Sequence, residues 1–115
     1  MENKNIILEK TFEFALKIID YAEQLEDSKK YVIAKQILKS GTSIGANIRE
    51  AQSAESKNDF IHKLKIADKE ANETEYWIQL CKLAKNYPNP LEIENELIEI
   101  KKLLSKIIST SKSSI

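Results

Sequence analysis

Apolar residues recur every three or four positions along most of this 115-residue chain, which is the spacing of one face of an α-helix. Four such segments are separated by short stretches of polar residues or proline. The pattern predicts an all-α fold, an antiparallel up-down-up-down four-helix bundle that forms a single domain over residues 1–115. The predicted inward positions, segment by segment, are Ile7, Phe14, Ile18, Tyr21 and Leu25; Ile33, Ile37, Ser40, Ile44, Asn47 or Ile48, and Ala51; Phe60, Leu64, Ala67, Ala71, Thr74, Ile78 and Cys81; and Ile93, Leu97, Ile100, Leu104 and Ile107.

Capping residues set the expected helix bounds, about 5–26, 29–54, 58–86 and 90–110. Asp27 or Ser28 is placed to cap the second helix, and Ser56 with Asp59 is a capping signal for the third. Asn89 before Pro90 is a strong start signal for the fourth helix. The Ser- and Lys-rich end, from residue 109 onward, is predicted to fray.

The first helix carries a second apolar stripe beside its core positions. The two stripes together are wider than one partner helix needs, which predicts self-association. Four aromatic residues are candidate interface anchors, with a core position left open for Trp77. The second stripe is Leu8, Phe12, Ala15, Ile19 and Ala22, and the aromatic residues are Tyr31, Tyr76, Trp77 and Tyr87.

Gly41 and Gly45 are the only two glycines of the chain, and both lie inside the second predicted helix. A glycine costs a helix interior about 1 kcal/mol relative to alanine, so a helix with two of them has a use for them. We interpret the pair as a bare stripe that lets another helix approach closely. The third helix is the expected neighbour, because the middle of its seam is small, at Ala67, Ala71 and Thr74.

Composition excludes several classes of protein. Lys plus Arg equals Asp plus Glu at 18 each, so no net charge draws the chain to nucleic acid or anionic lipid. The single cysteine, Cys81, excludes an internal disulfide and a Cys-rich zinc site. No apolar run approaches the ~20 residues of a membrane span, and the first residues lack a signal-peptide core. We therefore expect a cytoplasmic protein without a membrane partner.

Polar residues on the second and third helices are the strongest candidates for a site. We interpret them as a polar layer that fixes helix register rather than as a ligand or metal site. The alternative is a small Mg²⁺-dependent nucleotide phosphohydrolase that uses Glu70 and Glu73, although such chemistry needs a second acidic pair. Asp59 and His62 form only one carboxylate–histidine pair, which excludes a di-iron site. The set is Ser40, Ser43, Asn47 and Glu50, facing Glu70, Asn72, Glu73 and Thr74.

Residues 40–77 closely resemble the bacterial four-helix-bundle family of the 23S rRNA intervening-sequence protein. The superfamily includes the accessory variability determinant of diversity-generating retroelements. The resemblance implies a left-handed bundle that assembles as a ring, commonly a homopentamer, without an established activity. Within this superfamily, the retroelement accessory protein binds nucleic acid and a reverse transcriptase. The elements that carry the resemblance are Ser43-Ile44-Gly45-Ala46-Asn47, Glu55-Ser56, Asp59-Phe60-Ile61, and Glu70-Ala71 through Glu73-Thr74.

These observations predict a non-enzymatic, oligomeric binding or scaffold protein with no catalytic residue, cofactor or metal. RNA or a nucleoprotein is the expected partner besides the chain itself. The candidate nucleic-acid contacts are Lys35, Lys39, Arg49 and Lys63, which a ring would multiply around one rim. The expected helix-contact residues are Gly41, Gly45, Ser43, Asn47, Ala67, Ala71, Glu73 and Thr74.

Overall fold

The computed structural model describes the backbone of residues 2–113 and the side chains of residues 6–113. Over this range the backbone of each helix approaches those of two neighbours closely, whereas the backbones of α1 and α3, and of α2 and α4, stay apart across the core. The helices therefore stand at the corners of a square in chain order, in a rod of 48 × 20 × 19 Å. The predicted up-down-up-down four-helix bundle is confirmed. The helices are α1 Glu2–Asp27, α2 Tyr31–Ala51, α3 Lys57–Leu83 and α4 Leu91–Ser113.

The predicted core positions of α1 and α4 are all buried. In α2 the inward position is Ile48, which is fully buried, whereas Asn47 and Ile33 are half-buried. In α3 the buried residue is Ile61, and the predicted Phe60 is half-buried and packs against the edge of the core. Both residues lie one turn before the next buried position, so helical spacing alone does not separate them.

The turn between α1 and α2 differs from the expected one, since neither Asp27 nor Ser28 caps α2. Lys29 adopts the left-handed conformation with φ 63°, and the Lys30 N–H donates to the carbonyl of Leu25 at 2.8 Å. This is the pattern of a Schellman C-cap, so Ser28 belongs to the end of α1. The N-cap position of α2 is Lys30, whose side chain makes no capping bond.

The other two helix starts follow the predicted capping chemistry. The Ser56 side chain, on extended backbone, accepts a hydrogen bond from the Asp59 N–H at 3.0 Å. The Asn89 side-chain oxygen accepts from the Leu91 N–H at 3.0 Å, next to Pro90.

The helix ends are less well predicted than the starts. α2 and α3 end before the expected residues, because a turn follows Ala51 and Ala84 has extended backbone with ψ 147°. α4 continues to Ser113, three residues beyond the expected end at 110. Residues 114 and 115 lie outside the described part of the chain.

The two glycines of α2 face α1, which corrects the expectation that they meet α3. A Cβ atom on Gly41 would lie 2.8–3.0 Å from three side-chain carbons of Ile18. A Cβ atom on Gly45 would lie 3.2–3.3 Å from Thr11, including its backbone oxygen. The bare stripe therefore lets α1 approach α2 closely.

The rotation of α2 about its own axis explains the correction. The α2 residue that faces α3 is Ser40, whose hydroxyl lies 2.9 Å from that of Thr74. Gly41 follows Ser40 and is rotated by about 100° around the helix, which turns it toward α1. The buried Ala67 and Ala71 of α3 thus lie in the core without meeting the glycine stripe.

Candidate interaction surface

The polar set on α2 and α3 contains one buried pair and several surface contacts. Thr74 donates to the carbonyl of Glu70 at 2.7 Å, which leaves the buried Ser40 hydroxyl to donate to Thr74. Ser43 and Asn47 instead bond to carbonyls of their own helix. The predicted cross-helix layer is therefore reduced to the Ser40–Thr74 pair within the core.

The two carboxylates of the hydrolase alternative do not form a metal centre. Glu73 is exposed and accepts a hydrogen bond from the indole of Trp77 at 3.3 Å, and Glu70 is half-buried. No three His, Cys, Asp or Glu side chains in the described range converge in a way that could hold a metal ion. His62 lies exposed on the surface of α3.

Cys81 is a core residue rather than an accessible nucleophile. It is 2% exposed, and burial raises the pKa of its thiol. The neighbouring Tyr21 has a pKa raised by burial, and its hydroxyl donates to the carbonyl of Pro88 at 2.6 Å. The bond from Tyr21 to Pro88 joins α1 to the loop before α4. Because the pKa of the Cys81 thiol is raised, the reactive thiolate form is disfavoured.

A shallow apolar groove of about 230 Å³ runs between α1 and α2 on the outside of the bundle. Phe12 is 53% exposed beside it, and Gly45 forms part of its floor because it has no side chain. The guanidinium of Arg49 lies 5.8 Å from the centre of the Phe12 ring. The lining residues are Leu8, Thr11, Phe12, Ala15, Thr42, Gly45, Ala46 and Arg49.

Apolar side chains extend this groove along α1 and α2. Leu16, Ile19 and Leu38 are 51%, 39% and 38% exposed. On α1, Leu16 and Ile19 lie on the same outer face as Phe12. Of the predicted second stripe, Phe12 and Ile19 are exposed, Leu8 and Ala15 are half-buried, and Ala22 is buried. We call the surface formed by Phe12, Leu16, Ile19, Leu38 and Arg49 the α1/α2 groove.

A second exposed apolar surface lies on α3. Tyr76, Leu80 and Leu83 are 58%, 40% and 81% exposed and follow one another at helical spacing. The Tyr76 ring packs edge-on against Trp77 with 5.2 Å between centroids, and Trp77 is half-buried against the core. We call Tyr76, Leu80 and Leu83 the α3 stripe. Tyr76 was predicted from the sequence as an interface anchor, whereas Leu80 and Leu83 were not predicted to form an exposed stripe with it.

The predicted cationic contacts are divided between two helices. Lys35, Lys39 and Arg49 are exposed on α2, whereas Lys63 forms an ion pair with Glu50 at 3.3 Å. The structure instead brings together two lysines from distant parts of the chain. Lys112, at the end of α4, lies close to Lys65, in the first half of α3. Because the two ammonium groups repel each other, the pKa of Lys65 is lowered.

None of the helices in the described range is long and apolar enough to cross a membrane. Comparison with known sequences then decides the family. The family model described as 23S rRNA-intervening sequence protein matches residues 3–106. The chain belongs to this family. Among proteins with curated descriptions, none matches the chain.

A solved structure from the same group of proteins agrees with this membership. It is a protein of unknown function from the S23 ribosomal protein family of Bacteroides thetaiotaomicron, 48% identical to this chain. The match covers 93% of this chain and 98% of the other, with a TM-score of 0.88. The resemblance seen from the sequence is thereby confirmed, and the relative's function is as unassigned as the family's.

Proposed function

We propose that this chain is a non-enzymatic, oligomeric binding or scaffold protein of the cytoplasm, whose copies associate through the α1/α2 groove. The observation that carries the proposal is the run of apolar side chains left 38–53% exposed along that groove. Contiguous exposed apolar surface on a soluble chain is typical of a contact surface. Covering a Phe, Leu or Ile side chain contributes about 1.5–3 kcal/mol when burial is complete.

The number of copies is a separate part of the proposal. A pentameric ring is the assembly that the family resemblance implies. A protein that carries several identical faces around one axis can hold a repetitive partner by avidity even when each contact is weak.

The test of self-association compares two matched pairs of substitutions. Phe12→Ser with Leu16→Ser removes two exposed apolar side chains from the groove. Leu91→Ser with Ile98→Ser removes two of similar exposure, 51% and 44%, from α4. Light scattering after gel filtration should give a multiple of 13.2 kDa for the wild type and the α4 variant, and 13.2 kDa for the groove variant.

The outcome against the proposal is equally clear. A wild-type molar mass of 13.2 kDa at micromolar concentration contradicts self-association. If the groove variant assembles like the wild type, the contact between copies lies on another face of the bundle. Circular dichroism at 222 nm confirms that both variants remain folded, which is expected because all four positions are exposed.

RNA is the partner we propose for the assembly, and one contact favours a polyanion. The positive charge of Lys112 lowers the pKa of Lys65, and a phosphate bound between the two ammonium groups would offset their repulsion. Neutralising them by Lys65→Gln with Lys112→Gln should weaken binding of a labelled single-stranded RNA in fluorescence anisotropy at low salt. Lys102→Gln with Lys106→Gln, at two exposed lysines of α4, is the control with the same change in charge. An equal loss in both variants would mean that the lysine pair has no particular role.

The enzyme alternative makes the opposite prediction about Glu73. Nucleotide hydrolysis that requires Mg²⁺ and is lost in Glu73→Gln would favour the hydrolase. We expect no turnover in the wild type and no thermal shift with Mg²⁺, because the carboxylate of Glu73 already bonds to Trp77 and lacks a second acidic pair beside it.

A further inference from the structure

We infer that copies of this chain meet head to tail, with the α3 stripe of one copy seated in the α1/α2 groove of the next. Glu73, one turn before the stripe, then faces Arg49 of the neighbouring copy. The inference rests on the self-association proposed above and assigns the second of the two contacting surfaces.

The two surfaces lie on different sides of the bundle. α1 and α3 occupy opposite corners of the square, and their backbones do not approach closely over the described residues. A two-fold symmetric dimer would bring one surface against itself and leave the other uncovered. A head-to-tail contact covers both surfaces of every interior copy with a single kind of interface.

The two surfaces also match in length. From Arg49 to Leu38 the groove spans eleven helical positions, about 16 Å at 1.5 Å per residue. From Glu73 to Leu83 the stripe spans ten positions, about 15 Å. A single helix face laid along a groove between two helices is a common packing arrangement in proteins.

The groove and the stripe also carry their charged residue at the same end relative to their apolar side chains. The charged end of the groove, Arg49, and the charged end of the stripe, Glu73, both point toward the end of the bundle where α3 begins. Arg49 makes a contact with the Phe12 ring and forms no ion pair with any described side chain. Two copies whose bundles point in the same direction therefore place opposite charges together and apolar side chains together.

The contact has a geometric consequence. Ser40 and Thr74 lie at the same height in the bundle, so Arg49 is level with a residue of α3 about eight positions before Glu73. Neighbouring copies are thus displaced by about 12 Å along the bundle axis. Such a contact closes into a ring only when neighbouring bundles are inclined to one another, so that the displacement along each bundle does not accumulate along the ring axis.

Mixing two assembly-deficient variants tests the inference. The groove variant Phe12→Asp with Leu16→Asp keeps an intact stripe, and the stripe variant Tyr76→Asp with Leu83→Asp keeps an intact groove. Each variant alone should have a molar mass of 13.2 kDa by light scattering. An equimolar mixture should form a one-to-one dimer of twice that mass and grow no further, because only one complete interface exists between the two variants.

The alternatives give different results. A stripe variant that assembles like the wild type overturns the head-to-tail contact while leaving self-association through the groove intact. A mixture that remains monomeric also overturns it. A wild type that is itself monomeric removes the proposed function, and the inference with it. Circular dichroism of each variant shows that the four exposed substitutions leave the bundle folded.

A charge exchange tests the assigned register. Arg49→Glu and Glu73→Arg should each weaken assembly about tenfold, because each places like charges together. The double variant should recover most of that loss. A double variant as weak as the two single changes combined would contradict the pairing of Arg49 with Glu73.

Discussion

The two sides of α1 are built in opposite ways. Toward α2 the contact is made of bare backbone at Gly41 and Gly45, and its outer edge is lined by exposed Phe12 and Leu16. Toward α4 the outer edge is lined by ion pairs. Those pairs join Lys10 to Glu99 and Lys17 to Glu92 and Glu96.

This difference shows which side of the bundle is complete in a single chain. Charged side chains at a helix contact keep their hydration in water, so the α1–α4 edge needs no further partner to cover it. Apolar side chains at the α1–α2 edge remain in contact with water, which is unfavourable until something covers them. The same contrast applies to α3, where Glu75 and Lys82 pair with α4 while the α3 stripe lies uncovered.

The largest expected effect is overpacking of the contact between α1 and α2. Gly41→Leu places a Cβ atom within 3.0 Å of three carbons of the fully buried Ile18, with the rest of the side chain still to be accommodated. Urea unfolding should show a loss of about 3 kcal/mol in the free energy of unfolding. Ser105→Leu, an exposed position of α4 outside both proposed contact surfaces, is the control and should change it by about 0.5 kcal/mol or less. Equal stability of both variants would contradict the close approach.

A smaller effect is expected at the contact between α2 and α3. Thr74→Val removes a hydroxyl and leaves that of Ser40, which is 0% exposed, without its cross-helix partner. The free energy of unfolding should fall by about 1–3 kcal/mol. Adding Ser40→Ala should cost less than the sum of the two single changes, because the buried hydroxyl is then gone. Strict additivity in this cycle would argue that the two hydroxyls do not interact.

The smallest effect is expected at the charged edge between α1 and α4. Lys17→Met should lower the melting temperature less than either change above, and the difference should disappear in 1 M NaCl. The bond to Glu96 raises the pKa of Lys17, so this contribution is complete below the ordinary lysine pKa and is lost as pH rises through the raised value. A decrease that persists in high salt would show that packing of the lysine stem, rather than its charge, supports this edge.

Local features of the sequence predicted much of the fold. The regular spacing of Ile93, Leu97, Ile100, Leu104 and Ile107 is enough to predict the buried face of α4, because one helix and one stripe are involved. The Ser56 cap depends on residues three positions apart and was predicted for the same reason. The family resemblance rested on such short-range elements too.

Features that depend on how the helices are rotated and paired could not be predicted from local sequence spacing. The neighbour of Gly41 depends on the rotation of α2 between two partners, and both α1 and α3 offer a suitable face. Leucine is common both in cores and on helix surfaces, so Leu80 and Leu83 carried no distinct sequence signal for an exposed stripe. The pairing of Lys65 with Lys112 joins residues far apart in the chain and required the bundle topology.

The central claim is that another copy of the chain covers the α1/α2 groove. Sedimentation equilibrium of the wild-type protein across the micromolar range tests it most directly. The account predicts a molar mass that is a whole multiple of 13.2 kDa and that falls to 13.2 kDa when Phe12 and Leu16 are replaced by serine. A wild-type mass of 13.2 kDa at every concentration would contradict it.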